Sequence, residues 1–174
     1  MQRIRSATSM ILTAILLPAA AQGQVVLKGS QITESVLIEA LTPGPRTRNL
    51  SRDPRTASAT NPSQSILITF ETNSTDLTRQ AKSELDVVGR ALSSSRLSEF
   101  AFLLEGHADP RGTAQHNQSL SEGRASAVLQ YLVRNHNIDQ ARLQAIGKGD
   151  REPLNRDDPT AAENRRVIIV TIPH

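Results

Sequence analysis

The chain contains no cysteine and no tryptophan, and aromatic residues make up only 2% of its 174 residues. The absence of cysteine excludes disulfides, thiolate metal sites, a cysteine nucleophile and lipid attachment at a cysteine. The scarcity of aromatic side chains disfavours a nucleic-acid platform, because such platforms stack bases on aromatic rings. The function therefore has to rest on other chemistry.

An excess of charge of one sign is also lacking. The formal net charge is +3, but Arg3 and Arg5 lie in a segment that we expect to be removed. Taking these two from the 20 basic residues leaves 18 against 17 acidic ones. A surface that follows a phosphate backbone would need more, so the balance argues against nucleic acid as a partner. The length suits one domain with additional segments.

The first residues have the pattern of a secretory signal. Arg3 and Arg5 form a basic start, residues 10–18 form a short apolar run, and small residues follow. This run is shorter than the roughly 18–20 residues that span a bilayer. We predict a cleaved signal peptide over 1–21, with an alternative end at 23. The protein is expected in the periplasm or associated with the outer membrane, and without a cysteine it is not expected to be a lipoprotein.

Two segments separate this signal from the main domain. Residues 22–41 form a short N-terminal segment whose Leu37, Ile38 and Leu41 suggest a helix that docks on an envelope protein. Residues 42–65 are rich in Pro, Ser, Thr and Arg, which is typical of an extended linker.

Residues 66–174 show the pattern of an α/β domain. Apolar runs at 66–70, 100–104, 143–146 and 166–172 predict strands. An apolar stripe over 77–92, which Asp76 or Thr78 can cap, predicts one helix, and a capping box over 119–122 predicts a second helix beyond Asn117. The order β-α-β-α-β-β predicts a sandwich, with two helices on one face of a mixed four-stranded sheet.

The loop over residues 105–113 carries the most distinctive chemistry. Asp109 lies on this loop, and Arg124 follows in the second helix. Ligands of open α/β sheets bind at the carboxyl ends of strands, so both side chains can face one cleft. A carboxylate and a guanidinium on opposite sides suit a zwitterion. The alternative from spacing alone is that Asp109 caps a turn and Arg124 pairs with it.

Three motifs, Gly-His-Ala-Asp-Pro-Arg-Gly at 106–112, Asn-Gln-Ser-Leu-Ser-Glu-Gly-Arg-Ala at 117–125 and Asn-Arg-Arg-Val at 164–167, resemble the OmpA-like C-terminal domain family over residues 66–172. The form of the first is most similar to the peptidoglycan-associated lipoprotein branch, which has a lipidated cysteine that this chain lacks. The resemblance implies non-covalent binding of peptidoglycan through the diaminopimelate of its stem peptide, which would tether the envelope to the wall. Asp109 and Arg124 match the two residues that hold its zwitterionic end, and Ala108 stands where many members have threonine.

Other residues of these motifs are candidates for supporting roles. Asn117 is expected to hydrogen-bond the ligand, and Gly112 belongs to the motif loop. Either Arg165 or Arg166 can wall the cleft, but the expected role of this pair is a salt bridge that ties the last strand to the sheet. His107 is expected to be a hydrogen-bonded residue at a strand end rather than a metal ligand, because no set of three or four ligands converges.

Neither a cofactor nor catalysis is expected. Glu105 and Asp109 are the only close carboxylates, and no activated nucleophile accompanies them. Two alternatives stay open: a protein-binding envelope adaptor similar to Tol-system components, with secondary wall contact, and a wall-remodelling enzyme.

Overall fold

A computed structural model describes residues 26–43, 62–68, 70 and 73–172. The predicted signal peptide and most of the predicted linker lie outside these residues. Within them, no helix is both long and apolar enough to cross a membrane.

The described residues form a five-stranded mixed sheet. Its strands are β1 (Val26–Leu27), β2 (Ser63–Ile66), β3 (Ala101–Gly106), β4 (Leu143–Gly147) and β5 (Val167–Ile172). Their order across the sheet is β1-β2-β5-β3-β4. Strand β5 is antiparallel to both β2 and β3, whereas β1 and β2, and β3 and β4, form parallel pairs. The last strand of the chain is therefore the central one.

Three α-helices accompany the sheet: α1 (Glu34–Leu41), α2 (Arg79–Leu92) and α3 (Ala114–His136). Short 3₁₀ turns lie at Gly29–Gln31, Gln140–Arg142 and Ala162–Asn164. A threonine hydroxyl caps the first turn of each α-helix by accepting a backbone N–H three residues on, at Thr33, Thr78 and Thr113.

The predicted order of elements is confirmed, but several boundaries differ. The second predicted helix begins at Ala114 and not beyond Asn117, because the Thr113 hydroxyl caps it ahead of the predicted capping box. The first predicted strand, 66–70, was placed too late: the ladder with β5 runs over Ser63–Ile66. It starts inside the predicted linker because small polar residues pair there through their backbone, which hydropathy does not reveal. The expected four-stranded sheet gains β1 as a fifth strand.

The core lies between the sheet and the helices. Along β3, Phe102 and Leu104 are buried, whereas the residues between them are only partly buried, as in a strand with one covered face. The stripe on α2 faces this layer, with Leu85, Val88 and Leu92 almost fully buried. The helices therefore pack on one face of the strands whose ends lead into the motif loops.

The N-terminal segment is part of this core, which corrects its predicted role as a docking helix. Leu37 and Leu41 are 0% exposed, and Ile38 packs against the same cluster. The Thr171 hydroxyl on β5 also donates a hydrogen bond of 2.7 Å to the Leu41 carbonyl. The apolar residues that suggested an external partner are therefore covered by the chain's own domain.

Replacing Leu37 by alanine is expected to destabilise the domain by about 2–3 kcal/mol, because a buried leucine leaves a cavity. The matched control is Val36→Ala on the same helix, where the side chain is 39% exposed and the loss should stay below about 1 kcal/mol. Urea unfolding followed by circular dichroism measures both variants. Equal stability of the two would show that α1 does not pack as described.

Candidate ligand-binding site

The site lies where β3 and β4 end against the first turns of α3. Two glycines allow the backbone of the helix to approach the strands. A Cβ at Gly106 would lie 2.2 Å from the Ser121 carbonyl oxygen, and one at Gly147 would lie 2.6 Å from the Glu122 nitrogen. This close contact sets the distance between the loop after β3 and the helix.

A cleft of about 350 Å³ opens at this junction. Asp109 from the loop, Asn117 and Arg124 from α3, and Arg165 from the turn before β5 all line it. The structure therefore brings together four of the residues that the sequence predicted for a ligand site. Its walls expose more polar than apolar surface, which suits a charged ligand.

Asp109 is held as an anion. The side chain of Arg111 donates to both of its oxygens, from Nε at 3.0 Å and from Nη2 at 2.6 Å. Arg165 Nη1 adds a third bond of 3.0 Å, and the Arg111 backbone N–H a fourth of 3.2 Å. Led by the Arg111 side chain, these hydrogen bonds outweigh the burial of the carboxyl and lower the pKa of Asp109 to about 2.

Arg124 does not take part in these ion pairs, so the alternative that it pairs with Asp109 is wrong. It is only 8% exposed. Its Nε donates to the Ser74 carbonyl at 3.1 Å, and its guanidinium carbon lies 5.0 Å from the centre of the Phe70 ring. Burial and the neighbouring Arg165 lower the pKa of Arg124. The guanidinium is therefore a fixed and poorly solvated cation in the cleft wall.

Asn117 and Gly112 shape the entrance. Asn117 is 1% exposed and its side-chain amide donates to an Asp150 oxygen at 3.0 Å, which links α3 to the loop after β4. Gly112 has a φ of +105°, a conformation that disfavours any side chain. Its backbone turns the motif loop into the helix.

Arg165 lies in the cleft wall and also forms an ion pair with Asp109, which joins the turn before the last strand to the loop after β3. Its position depends on Asn164, which is fully buried. The side-chain oxygen of Asn164 accepts hydrogen bonds from the backbone N–H groups of Leu154 and Asn155. Its side-chain NH₂ group donates to three backbone carbonyls of the same loop. This side chain holds the loop that leads into Arg165.

His107 does not fit the expected role of a hydrogen-bonded strand-end residue. Only its backbone N–H pairs, with the Arg166 carbonyl at 2.9 Å. Neither ring nitrogen has a partner among the described residues, although the side chain is buried. Burial above all, together with the charges of Arg166 and Lys148, lowers the pKa of His107 to about 3. In the described part of the chain, no group of three acidic or histidine side chains could hold a metal.

Sequence reasoning assigned no role to several residues that the structure brings into the site. Arg111 forms the closest contacts of Asp109, and the spacing Asp-Pro-Arg was the available signal for it. The ring of Phe70 lies against the guanidinium of Arg124, and Asp150 accepts a hydrogen bond from Asn117. Their sequence separations from the motif give no indication of these contacts.

The site is a cleft at the carboxyl ends of sheet strands, with an anion and a cation in its walls, which is an arrangement that suits small ligands of mixed charge. The sequence profile of the OmpA family matches residues 69–166. The chain belongs to the OmpA family.

Similar proteins include a peptidoglycan-associated lipoprotein and an outer membrane porin. The peptidoglycan-associated lipoprotein of Pseudomonas aeruginosa is 39% identical over 100 residues, which cover 56% of this chain and 57% of that protein. Outer membrane porin F of the same organism is 45% identical over 67 residues, or 37% of this chain and 19% of the porin. The crystal structure of the peptidoglycan-associated lipoprotein from Burkholderia pseudomallei matches with a TM-score of 0.52 and 28% identity, covering 70% of this chain and 98% of that one.

The two Pseudomonas proteins extend well beyond the shared region, since the chain spans 57% of one and 19% of the other. The family match over residues 69–166 contains α2, β3, α3, β4 and every described residue that lines the cleft. The structural match supports the predicted sandwich.

Proposed function

We propose that this chain binds peptidoglycan non-covalently through the zwitterionic end of diaminopimelate and so tethers the cell envelope to the wall. The observation that carries the proposal is the placement of Asp109 and Arg124 in the wall of one cleft. The names of its relatives, among them a peptidoglycan-associated lipoprotein 39% identical to it, support the same ligand.

The two charges suit the two ends of the zwitterion. The pKa of Asp109, near 2, keeps its carboxylate ionised for the ligand ammonium at any physiological pH. Arg165 can remain paired while the ammonium takes the place of Arg111, because the Arg111 side chain is 64% exposed and free to turn outward. Arg124 meets the ligand carboxylate in a poorly solvated setting, where a charge-assisted hydrogen bond is strong.

The same features favour binding over catalysis. A glycosidase needs a carboxylic acid that can give up a proton near neutral pH. Asp109 has a pKa shifted in the opposite direction. Of the other described acids near the cleft, Glu105 lies 3.6 Å from the Lys148 ammonium in an ion pair, and Asp150 accepts a hydrogen bond from Asn117. We therefore propose a binding protein without enzymatic activity and do not favour the wall-remodelling alternative.

The proposed location follows from the ligand. Peptidoglycan lies outside the cytoplasm, and two similar proteins are named for the peptidoglycan or the outer membrane. We propose that the chain is exported by its signal segment and acts in the periplasm or at the outer membrane. A protein-binding adaptor would need an apolar docking surface, whereas the segment predicted for that role packs in the core.

Co-sedimentation with purified diaminopimelate-type sacculi tests the proposal. The wild-type protein should sediment with the wall, and Asp109→Asn and Arg124→Met should each bind at least tenfold more weakly, since each removes a charge-assisted contact. Asp157→Asn and Arg134→Met are matched controls that change the same charges at exposed positions outside the cleft, and both should bind like wild type.

Circular dichroism confirms that each variant is folded before binding is compared. A wild-type protein that stays in the supernatant would contradict wall binding. Folded Asp109→Asn and Arg124→Met variants that bind as well as the controls would contradict the site while leaving wall binding intact.

A further inference from the structure

A second cavity of about 280 Å³ lies directly beside the cleft. Phe70, Arg124 and Arg165 line both spaces, so these three side chains form a shared wall. The second cavity then continues to His107 and Arg166 at the ends of β3 and β5. A ligand held in the cleft is therefore next to a further space of comparable size.

Some buried polar groups that line this second cavity have no hydrogen-bond partner among the described residues. Both ring nitrogens of His107 and the Nε and Nη1 atoms of Arg166 are buried and have no hydrogen-bond partner among the described residues. His107 is 2% exposed and Arg166 is 5% exposed. The Arg166 guanidinium donates a hydrogen bond of 3.3 Å from Nη2 to the backbone carbonyl of Glu152. Buried groups of this kind are costly unless something hydrogen-bonds them.

The charge of the cavity indicates what that partner is. Arg124, Arg165 and Arg166 all line it, and none of its described lining residues is acidic. Leu67, Ile68 and Val167 supply an apolar side. The space therefore suits a carboxylate attached to a small aliphatic body, with the carboxylate toward Arg166 and His107.

We propose that this cavity binds a second carboxylate of the stem peptide, one carried outside the zwitterionic end that Asp109 and Arg124 hold. The proposal rests on the proposed function, because the shared wall makes the second space useful only to a ligand already anchored in the cleft. The neutral His107 ring donates from one nitrogen, and Arg166 provides the charge. The domain then recognises a peptide and not a single amino acid.

The glutamyl carboxylate of a stem tripeptide suits this role. In L-alanyl-γ-D-glutamyl-diaminopimelate this α-carboxylate is free, because the glutamyl residue is joined to diaminopimelate through its γ-carboxyl. Free diaminopimelate lacks this group but carries both of its own carboxylates, so a comparison of the two ligands isolates the glutamyl carboxylate. The tripeptide amidated at its glutamyl carboxylate removes this one negative charge and leaves the anchored end unchanged.

Isothermal titration calorimetry with this tripeptide and with free diaminopimelate tests the proposal. Arg166→Met removes the charge and keeps an unbranched apolar side chain. We expect tripeptide affinity to fall at least tenfold in this variant and diaminopimelate affinity to stay within twofold of wild type. The tripeptide amidated at its glutamyl carboxylate should bind wild type as weakly as the unmodified tripeptide binds Arg166→Met, and should lose nothing further on that variant.

A second variant keeps the test valid if Arg166→Met does not fold. Ala162 is exposed and lines the second cavity but not the cleft. Ala162→Leu should narrow the cavity from its rim and weaken tripeptide binding with little effect on free diaminopimelate. In ¹⁵N spectra of wild type, the His107 ring signals should shift on adding the tripeptide and not on adding diaminopimelate.

The outcomes separate the two proposals. If wild type binds neither sacculi nor tripeptide, the proposed function fails and this inference fails with it. If wild type binds the tripeptide, but Arg166→Met and Ala162→Leu bind it equally well and wild type binds the glutamyl-amidated tripeptide equally well, the cavity holds water only and the inference alone is overturned. Weaker tripeptide binding with unchanged diaminopimelate binding supports it.

Discussion

Replacing Gly106 by alanine is expected to destabilise the domain by about 3 kcal/mol and to abolish binding to the wall. The added Cβ would lie 2.2 Å from the carbonyl oxygen of Ser121, and that oxygen belongs to the backbone of α3. A flexible side chain could turn away, but here the helix has to move off the sheet. Overpacking of this kind costs about 1–3 kcal/mol, and more when the neighbour is rigid.

Binding suffers because the helix carries one side of the cleft. Arg124 and Asn117 lie on α3, whereas Asp109 lies three residues after Gly106, the last residue of β3. A shift of the helix widens the cleft between the cation and the anion. A displacement of about 1 Å in a positioning element is enough to lose most of a charged contact.

Thermal unfolding and sacculus co-sedimentation measure the two effects of Gly106→Ala. The melting temperature should fall by roughly 10 °C for a domain of this size. Adding Ser121→Gly should rescue neither property, because the contact is with the Ser121 backbone and not with its side chain. A Gly106→Ala variant with wild-type melting and binding would show that the helix does not approach the strand this closely.

The sequence predicted those parts of the fold that follow from periodicity. Each of four elements, namely α2, β3, β4 and β5, has a regular pattern of apolar residues that become buried. Each of them appears near its predicted place. Strand β1 has only two residues and exists because its backbone pairs with β2. A segment this short has no period to detect. The burial of Leu37 and Leu41 depends on the distant β5, so local pattern could not separate a core helix from a docking helix.

The sequence indicated the two charged residues of the candidate site, Asp109 and Arg124, but not the hydrogen bonds and ion pairs that hold them. Spacing alone left two interpretations of Asp109 and Arg124, and the resemblance of the motifs to the OmpA-like family favoured a shared cleft at the carboxyl end of the strand. Spacing does not say which of several arginines meets an aspartate. Arg111 and Arg165 pair with Asp109, while Arg124 is held by Ser74 and Phe70, 50 or more residues earlier in the chain.

The stability of the domain should fall steeply on mild acidification because of His107. The folded state lowers the pKa of His107 from about 6.5 to about 3, so below pH 6.5 the unfolded chain takes up a proton that the folded chain does not. Unfolding is then favoured increasingly as the pH falls from 6.5 toward 3. Linkage gives a loss of about 3 kcal/mol between pH 7 and pH 4 from this residue.

His107→Leu should remove this slope, because leucine has no proton to take up. Urea unfolding at several pH values between 4 and 7 measures it, and the comparison is between slopes and not absolute stabilities. Asp109→Asn is the matched control: its pKa is lowered from 3.8 to about 2, so its contribution to stability is present above pH 4 and is lost only below it. That variant should keep the wild-type slope between pH 4 and 7.

Equal slopes for wild type and His107→Leu would mean that the buried ring accepts a proton without unfolding, and hence that the second cavity can hold a cation beside Arg166. The expected result carries a consequence for function. Between pH 4 and 6.5 the cleft keeps its charges, since Asp109 stays ionised there, while the fold that positions them weakens. Loss of wall binding by the wild-type protein in this range should therefore follow its unfolding curve.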